Sequence, residues 1–304
     1  MNERRTKSTV ARNKVRSGVT GTQSRQDVLK LRAVGDIALI GRAASFLEEH
    51  GYQYPFNLVA DHIRSAELAF GNLEMPICSD DQCKPYFDDV CPEFRCPPQT
   101  VDALKDAGFD VINLANNHSM DWGESGLSET LFRLRSVGLK TIGAGETLAA
   151  ARQPAIVEKN GLCVGFIGYG RPGPWNATGN RPGIAPIDRA MILDDVHALR
   201  EKMDLLIVSL HTGILSDYPN PEDRRLARDL VDQGVDLILG HGPHVLQGVE
   251  IYRDRVIAYS LGNFIIDLLS GNVENRVALQ EQIESIIFDV ALPCNGEPEV
   301  DYIP

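Results

Sequence analysis

The chain has 304 residues, is 43% hydrophobic and carries a formal net charge of -12. That length suits one large α/β domain or two small ones, and the apolar content supports a packed core. The negative balance repels phosphate backbones and anionic lipid, which sets nucleic acid and membrane surfaces aside as partners, and no apolar run of about 18 residues is present to span a bilayer.

Residues 1–30 differ from the rest. They hold Arg4, Arg5, Lys7, Arg12, Lys14, Arg16, Arg25 and Lys30 against Glu3 and Asp27, with few apolar residues. This composition reads as a basic, disordered tail, and no apolar core follows it to make a secretory signal. No linker is long enough to divide what remains, so residues 31–304 are expected to form a single domain.

From there, "LKLRAVGD" predicts a first strand ending at Asp36, and "AELAFGNLE" a second ending at Asn72 and Glu74. Next comes a loop-like stretch with Cys78, Cys83, Cys91 and Cys96 spaced C-x4-C-x7-C-x4-C. Free thiols, disulfides in one of three pairings and a zinc site all stay open for it, although zinc favours tighter pairs. Cys163, in the apolar run "LCVGFIGYG", reads as a buried small hydrophobe. "PQTVDALKDAG" predicts a helix stopped by Gly108, "FDVINLANNH" a third strand, and "SGLSETLFRLRSVG" a helix with Leu127, Leu131, Leu134 and Val137 on one face. "LKTIGAG" follows as a strand. "AIVEKNGLCVGFIGYG" is a hairpin with Asn160-Gly161 at its tip. "MDLLIVSLHTG" and "VDLILGHGPH" predict two buried strands separated by the helix "NPEDRRLARDLVDQG". A second hairpin, "VEIYRDRVIAYSLGNF", and a strand in "SIIFDVALP" close the chain. Alternating strands and helices argue for an α/β fold, and the hairpins argue that its sheets are mixed.

Polar residues recur where these strands end: Asp36, then Asn72 and Glu74, then Asn116, Asn117 and His118, then His211, then His241 and His244. Ligands of open α/β sheets bind outside the carboxyl ends of strands. Carboxylate, amide and imidazole donors together suit a divalent metal such as Mn, Fe or Zn. One or two such ions with a bound water would then serve the chemistry. His50, His62 and His197 lie in helical or turn stretches and are expected at the surface or in caps.

Taken in order, Asp36, "GNLE", "LANNHSMDWG", "SLH-x-G", "GHGPHVLQGVE" and "AYSLGNF" resemble the CapA family of poly-γ-glutamate capsule biosynthesis proteins over about Leu31 to Asp267. That family is similar in fold to the calcineurin-like metallophosphoesterases. The resemblance implies a two-sheet sandwich flanked by helices, αββα with mixed sheets, and a site on loops at one edge. It implies metal ligands at Asp36, at Glu74 in preference to Asn72, and at Asn117, His211 and His244. His118 would be the general acid, oriented by Asp121 or Glu74, and His244 with Asp36 could also move a proton. Asn116, His241 and Asp121 complete the expected site as substrate contacts.

Some motif positions depart from the pattern. Ala38 stands where the phosphoesterases have the histidine of Asp-x-His. Thr212 and Leu215 replace the tryptophan and glutamate of many relatives. In "GHGPH", Gly242 takes one histidine position and His241 sits one step earlier. Capsule members usually begin with a membrane anchor, so a soluble, cytoplasmic variant is expected here. The leading expectation is metal-dependent hydrolysis of a phosphoester or amide in a polyglutamate or peptide-like substrate. Metal-dependent epimerisation of a peptide, as in lasso-peptide pathways, and an accessory role in polymer synthesis are the alternatives.

Overall fold

The computed structural model describes residues 27–39, 42–79, 94–213, 215–266 and 284–304. Strand β1 (Val28–Ala38) is followed by helix α1 (Arg42–His50), a 3-10 turn (Tyr54–Phe56) and the short helix α2 (Ala60–Arg64). Then come β2 (Leu68–Leu73), α3 (Thr100–Ala107), β3 (Val111–Asn113), α4 (Gly123–Ser136), β4 (Lys140–Ile142), β5 (Ala144–Gly145) and α5 (Leu148–Ala151). The hairpin of β6 (Ala155–Lys159) and β7 (Leu162–Gly170) leads through β8 (Gly183–Ile184) to α6 (Arg189–Arg200), β9 (Leu205–His211), α7 (Pro221–Asp232) and β10 (Leu237–His241). Strands β11 (Val249–Tyr252), β12 (Arg255–Ala258), β13 (Asn263–Ile266), β14 (Ile287–Pro293) and β15 (Glu299–Ile303) follow.

Two mixed sheets result. One runs β15-β14-β1-β2-β3-β4, with β13 also pairing β1, and the other runs β11-β12-β10-β9-β7-β6. Between them Leu29, Leu31, Phe70, Val111, Phe166, Ile207, Leu237 and Val256 form one buried core. The rings of Phe70 and Phe166 stack across it at 6.1 Å. Outside the first sheet, Leu47, Ile63, Leu104, Leu127 and Leu134 bring α1 to α4 onto Val34, Ala69 and Ile112. Outside the second, Ile192, Val196, Leu230 and Val231 seat α6 and α7 on Ile167, Val208 and Ile238. Strands buried on both faces read as continuous apolar runs, which explains "LCVGFIGYG" and "LLIVSL". The expected helix–sheet–sheet–helix sandwich is the observed architecture.

Local chemistry sets the boundaries. Asn160 and Gly161 both take positive φ, 51° and 79°, the turn that matches the twist of β6 and β7. Asn220 caps α7 by accepting from the N–H groups of Glu222 and Asp223 at 2.9 Å each. Three expectations change. Strand β1 begins at Val28, so residues 28–30 belong to the sheet; residues 1–26 lie outside the described residues. Strand β1 also runs two residues past Asp36, because Ile37 and Ala38 pair with Ile265 and Ile266. Helices α1, α2, α5 and α6 and strands β8 and β15 are additional elements, and "LKTIGAG" divides into β4 and β5. Of the cysteine cluster, Cys83 and Cys91 lie outside the described residues. Cys96 is a buried free thiol against the Met75 sulfur, and burial pushes it up to about 12. Cys163 is a buried free thiol, as expected. No helix among the described residues is long and apolar enough to cross a membrane.

Candidate metal centre

Strands β1, β2 and β3 of the first sheet run parallel, as do β9 and β10 of the second. Their carboxyl ends therefore open on one edge of the sandwich. Register does the rest. Asp36 pairs with Asn72 on one side and with Asn263 on the other, Asn72 pairs with Asn113, and His211 pairs with His241.

Asp36 is fully buried. It accepts from Asn72 Nδ2 at 2.7 Å and from the Gly242 backbone N–H at 3.3 Å. Burial works against its charged form, yet the imidazoles of His241, His211 and His244 outweigh it and hold the carboxyl well below the usual carboxylate range. Glu74, the first residue after β2, is 2% exposed, and its Oε1 stands 3.2 Å from His211 Nε2. His244 follows β10 with φ 60°; its Nδ1 donates to Asn263 Oδ1 at 2.9 Å and lies 3.5 Å from Asp36 Oδ2. Burial disfavours the His244 imidazolium, but Glu74, Asp36 and Asn263 prevail and raise its pKa. Asp36, Glu74 and His244 each offer a ligand atom, and those atoms all lie within 4.8 Å of one another.

A cation fits this donor set. Both carboxylate oxygens of Glu74 and both ring nitrogens of His241 are buried without a hydrogen-bond partner. A native fold rarely leaves so many buried polar atoms unanswered at one point, and a buried charge needs a counter-charge. Carboxylates with imidazole make a borderline-hard site suited to Mn, Fe or Zn.

The remaining expected residues fall into two groups. Asn117 and His211 reach the cluster, with Asn117 Oδ1 3.0 Å from His211 Nε2. Asn72 Nδ2 approaches His211 Nδ1 at 3.3 Å, so Nδ1 accepts and Nε2 carries the proton in the neutral ring. His118 stands at the rim with its side chain 29% exposed; its Nδ1 meets Asp121 Oδ2 at 2.8 Å, and its ring stacks on Phe94 at 5.4 Å. Burial lowers its pKa, but the bond to Asp121 and the charges of Glu74, Asp121 and Asp36 raise it further.

The three expected substrate contacts sit elsewhere than on an open pocket wall. Asn116 is fully buried: its amide donates to the Leu73 carbonyl at 2.8 Å, and its Oδ1 accepts from the His118 N–H at 3.1 Å. It is scaffold behind the site. Asp121 is 6% exposed and holds the His118 ring. His241 is fully buried beside Asp36. Asn263, Asn113 and Phe94 had no role in the sequence reading. "SLGNF" is visible there, but which strand Asn263 would pair with is not.

Two mixed sheets packed face to face, helices outside and this edge cluster define an α/β fold of the metallophosphoesterase type. The same fold occurs in a hypothetical protein from Thermus thermophilus, with TM-score 0.52 and 15% identity over 91% of this chain and 100% of that one. It occurs too in a 5'-nucleotidase precursor from that organism, with TM-score 0.51 and 15% identity over 91% of this chain and 54% of that one.

Residues 30–268 match the family described as bacterial capsule synthesis protein PGA_cap, and the chain belongs to that family. It is 34% identical over 247 residues to the PGA biosynthesis protein CapA of Bacillus subtilis (strain 168), covering 79% of this chain and 64% of that protein. It is 32% identical over 283 residues to the capsule biosynthesis protein CapA of Bacillus anthracis, covering 91% of this chain and 67% of that protein. The chain thus spans about two thirds of the length of these curated relatives.

Proposed function

We propose that this protein is a metal-dependent hydrolase that cleaves a phosphoester or amide bond in a polyglutamate or other peptide-like substrate. The observation that carries the reading is the meeting of Asp36, Glu74 and His244 at one point, with both Glu74 oxygens buried and without a hydrogen bond. These three residues would hold a divalent ion, with Asn117 and His211 beside them. Such an ion supplies Lewis acidity and lowers the pKa of a bound water.

The protein's own groups divide the remaining work. Asp121 engages His118 Nδ1, which leaves Nε2 as the ring nitrogen that exchanges a proton with a leaving group. Phe94 fixes the plane of that ring. Asn72 holds Asp36 and His211 together, and the Gly242 N–H turns the second Asp36 oxygen toward the ion site. The capsule and polyglutamate names of the relatives support an acidic γ-peptide polymer as the first substrate class to try.

The test is incubation of the manganese- or zinc-loaded protein with poly-γ-glutamate and with aryl phosphates. New chain ends or released phosphate, abolished by Asp36→Ala, support the reading. Altered residue chirality with solvent deuterium uptake and no new ends replaces hydrolysis with epimerisation. A metal-loaded protein that changes neither substrate class overturns the enzymatic reading in favour of an accessory role.

A further inference from the structure

Helix α7 begins on the edge of the sandwich that carries the candidate metal centre and runs away from it. Strand β9 delivers His211 to that edge, and Thr212 comes next. Arg171, exposed at the end of β7, donates its backbone N–H to the His211 carbonyl at 2.9 Å, and its Nη1 reaches the Thr212 carbonyl at 3.5 Å. Asp223, in the first turn of α7, bonds the Thr212 side chain and feels the charge of Arg171. From Pro221 to Asp232 the helix then rises about 16 Å. Beside it lies an open groove of about 490 Å³, lined by Pro221, Arg224, Arg225, Arg228, Asp232 and Tyr252 with Asp229.

Charge in this groove is unevenly matched. Asp229 and Asp232, the acids that line it, pair with Arg189 at 2.9 Å and Arg253 at 3.0 Å, and Arg228 pairs with Glu250 at 2.7 Å. Arg224 reaches the Tyr259 hydroxyl, but among the described residues neither Arg224 nor Arg225 makes an ion pair, and both are exposed. Two guanidinium groups are thus left for an outside anion. The Tyr252 ring steadies the far end, with the guanidinium carbons of Arg228 and Arg253 each 5.5 Å from its centroid.

The whole chain carries a net charge of -12 and repels polyanions. A polyanion therefore settles only where cations are locally in excess, and guanidinium forks suit carboxylates. The carboxylates of Asp229 and Asp232 along the same wall disfavour a densely charged phosphate chain more than a sparser polycarboxylate.

We propose that the groove along α7 is a binding track for a polycarboxylate chain, with Arg224 and Arg225 gripping its carboxylates and Arg171 leading it past Thr212 to the metal centre. The inference rests on the polyglutamate substrate class proposed above and gives that polymer its place on the protein.

The experiment uses the full chain, freed of metal, and follows binding of fluorescently labelled poly-γ-glutamate by anisotropy at low and high salt. Wild type should bind, and more weakly at high salt, because exposed charges are screened. Arg224→Ala/Arg225→Ala should weaken binding about tenfold at low salt, the loss of two exposed ion pairs. Arg224→Lys/Arg225→Lys should keep most of it. Lys105→Ala/Arg135→Ala, which removes the same charge from exposed positions on α3 and α4, should bind as wild type does. Equal losses in the two alanine pairs, or no loss in either, overturn the track. Inorganic polyphosphate bound more tightly than poly-γ-glutamate overturns the carboxylate assignment. No metal or turnover enters this measurement. The expected pattern in a protein that cleaves nothing therefore supports the track while overturning the hydrolase reading. A protein that cleaves aryl phosphate but binds no poly-γ-glutamate overturns the track and the polymer substrate while keeping the hydrolase.

Discussion

The carboxylate of Asp36 and the backbone N–H of Gly242, 206 residues apart in the chain, meet at 3.3 Å. One oxygen of the buried acid is thereby tied to a turn of the second sheet, while the other is held by Asn72 of the first. The site is a joint between the sheets, and its backbone geometry is as exacting as its side chains.

Gly242→Ala tests that joint. The new Cβ would crowd Gly213 and His211 at a φ of +98°. Left-handed backbone strain at a non-glycine residue costs about 1–3 kcal/mol. Urea unfolding of the metal-free variant should show a loss of at least that size, together with weaker metal binding.

Glu74→Gln separates metal binding from folding. Saturating wild type at a hundredfold excess over Kd should stabilise it by about 2.7 kcal/mol, and a chelator should remove that gain. The variant lacks the buried carboxylate whose oxygens have no hydrogen bond, so added metal should leave its melting curve unmoved. Differential scanning calorimetry with and without manganese reads both effects.

His118→Ala should lower turnover by about 10²–10⁴-fold, the ordinary contribution of a positioned acid. The loss should be large for substrates with poor leaving groups and small for activated aryl phosphates, which need no proton. Asp121→Asn should show the same pattern at smaller amplitude, because the ring remains while the carboxylate that orients it is gone.

Glu250→Gln addresses stability against pH, away from the site. Glu250 accepts from Arg228 Nη2 at 2.7 Å and from the Tyr259 hydroxyl at 2.6 Å. Burial favours its neutral form, but these partners outweigh it and lower its pKa in the folded protein. A lowered carboxyl contributes stability that is complete above its unfolded value of about 4.3 and is lost as pH falls through the folded value. The variant should therefore be less stable than wild type by about 1 kcal/mol at neutral pH, the upper range of a partly exposed pair. The two curves should merge in acid, as urea unfolding at several pH values would record.

Much of this was readable in the chain. Asp36, Glu74 and His244 stand at strand ends in the sequence and meet in space, and the Asn160-Gly161 turn and the Asn220 cap lie where their residue types require. What was hidden depends on geometry that residue type does not encode. Asn116 and Asn117 are chemically identical neighbours, and only the tight turn from Leu114 O to Asn116 N sends one amide inward as scaffold and the other to His211. Likewise, His241 read as a substrate contact because β10 is apolar on both faces, so its sequence does not show that position 241 shares with Leu237 and Leu239 the face between the two sheets. The hairpin expected in "VEIYRDRVIAYSLGNF" forms as β11 and β12, and its Arg253-Asp254 turn takes positive φ at both residues without glycine or asparagine.

The donors come from β1, the end of β2 and the turn after β10, with Asn263 bracing the last of them. Under the proposed metal reading, the three donor residues are all present in a growing polypeptide only once residue 244 has been added, and they meet only when both sheets are in place, so ion binding would report on closure of the whole sandwich and not on either half alone.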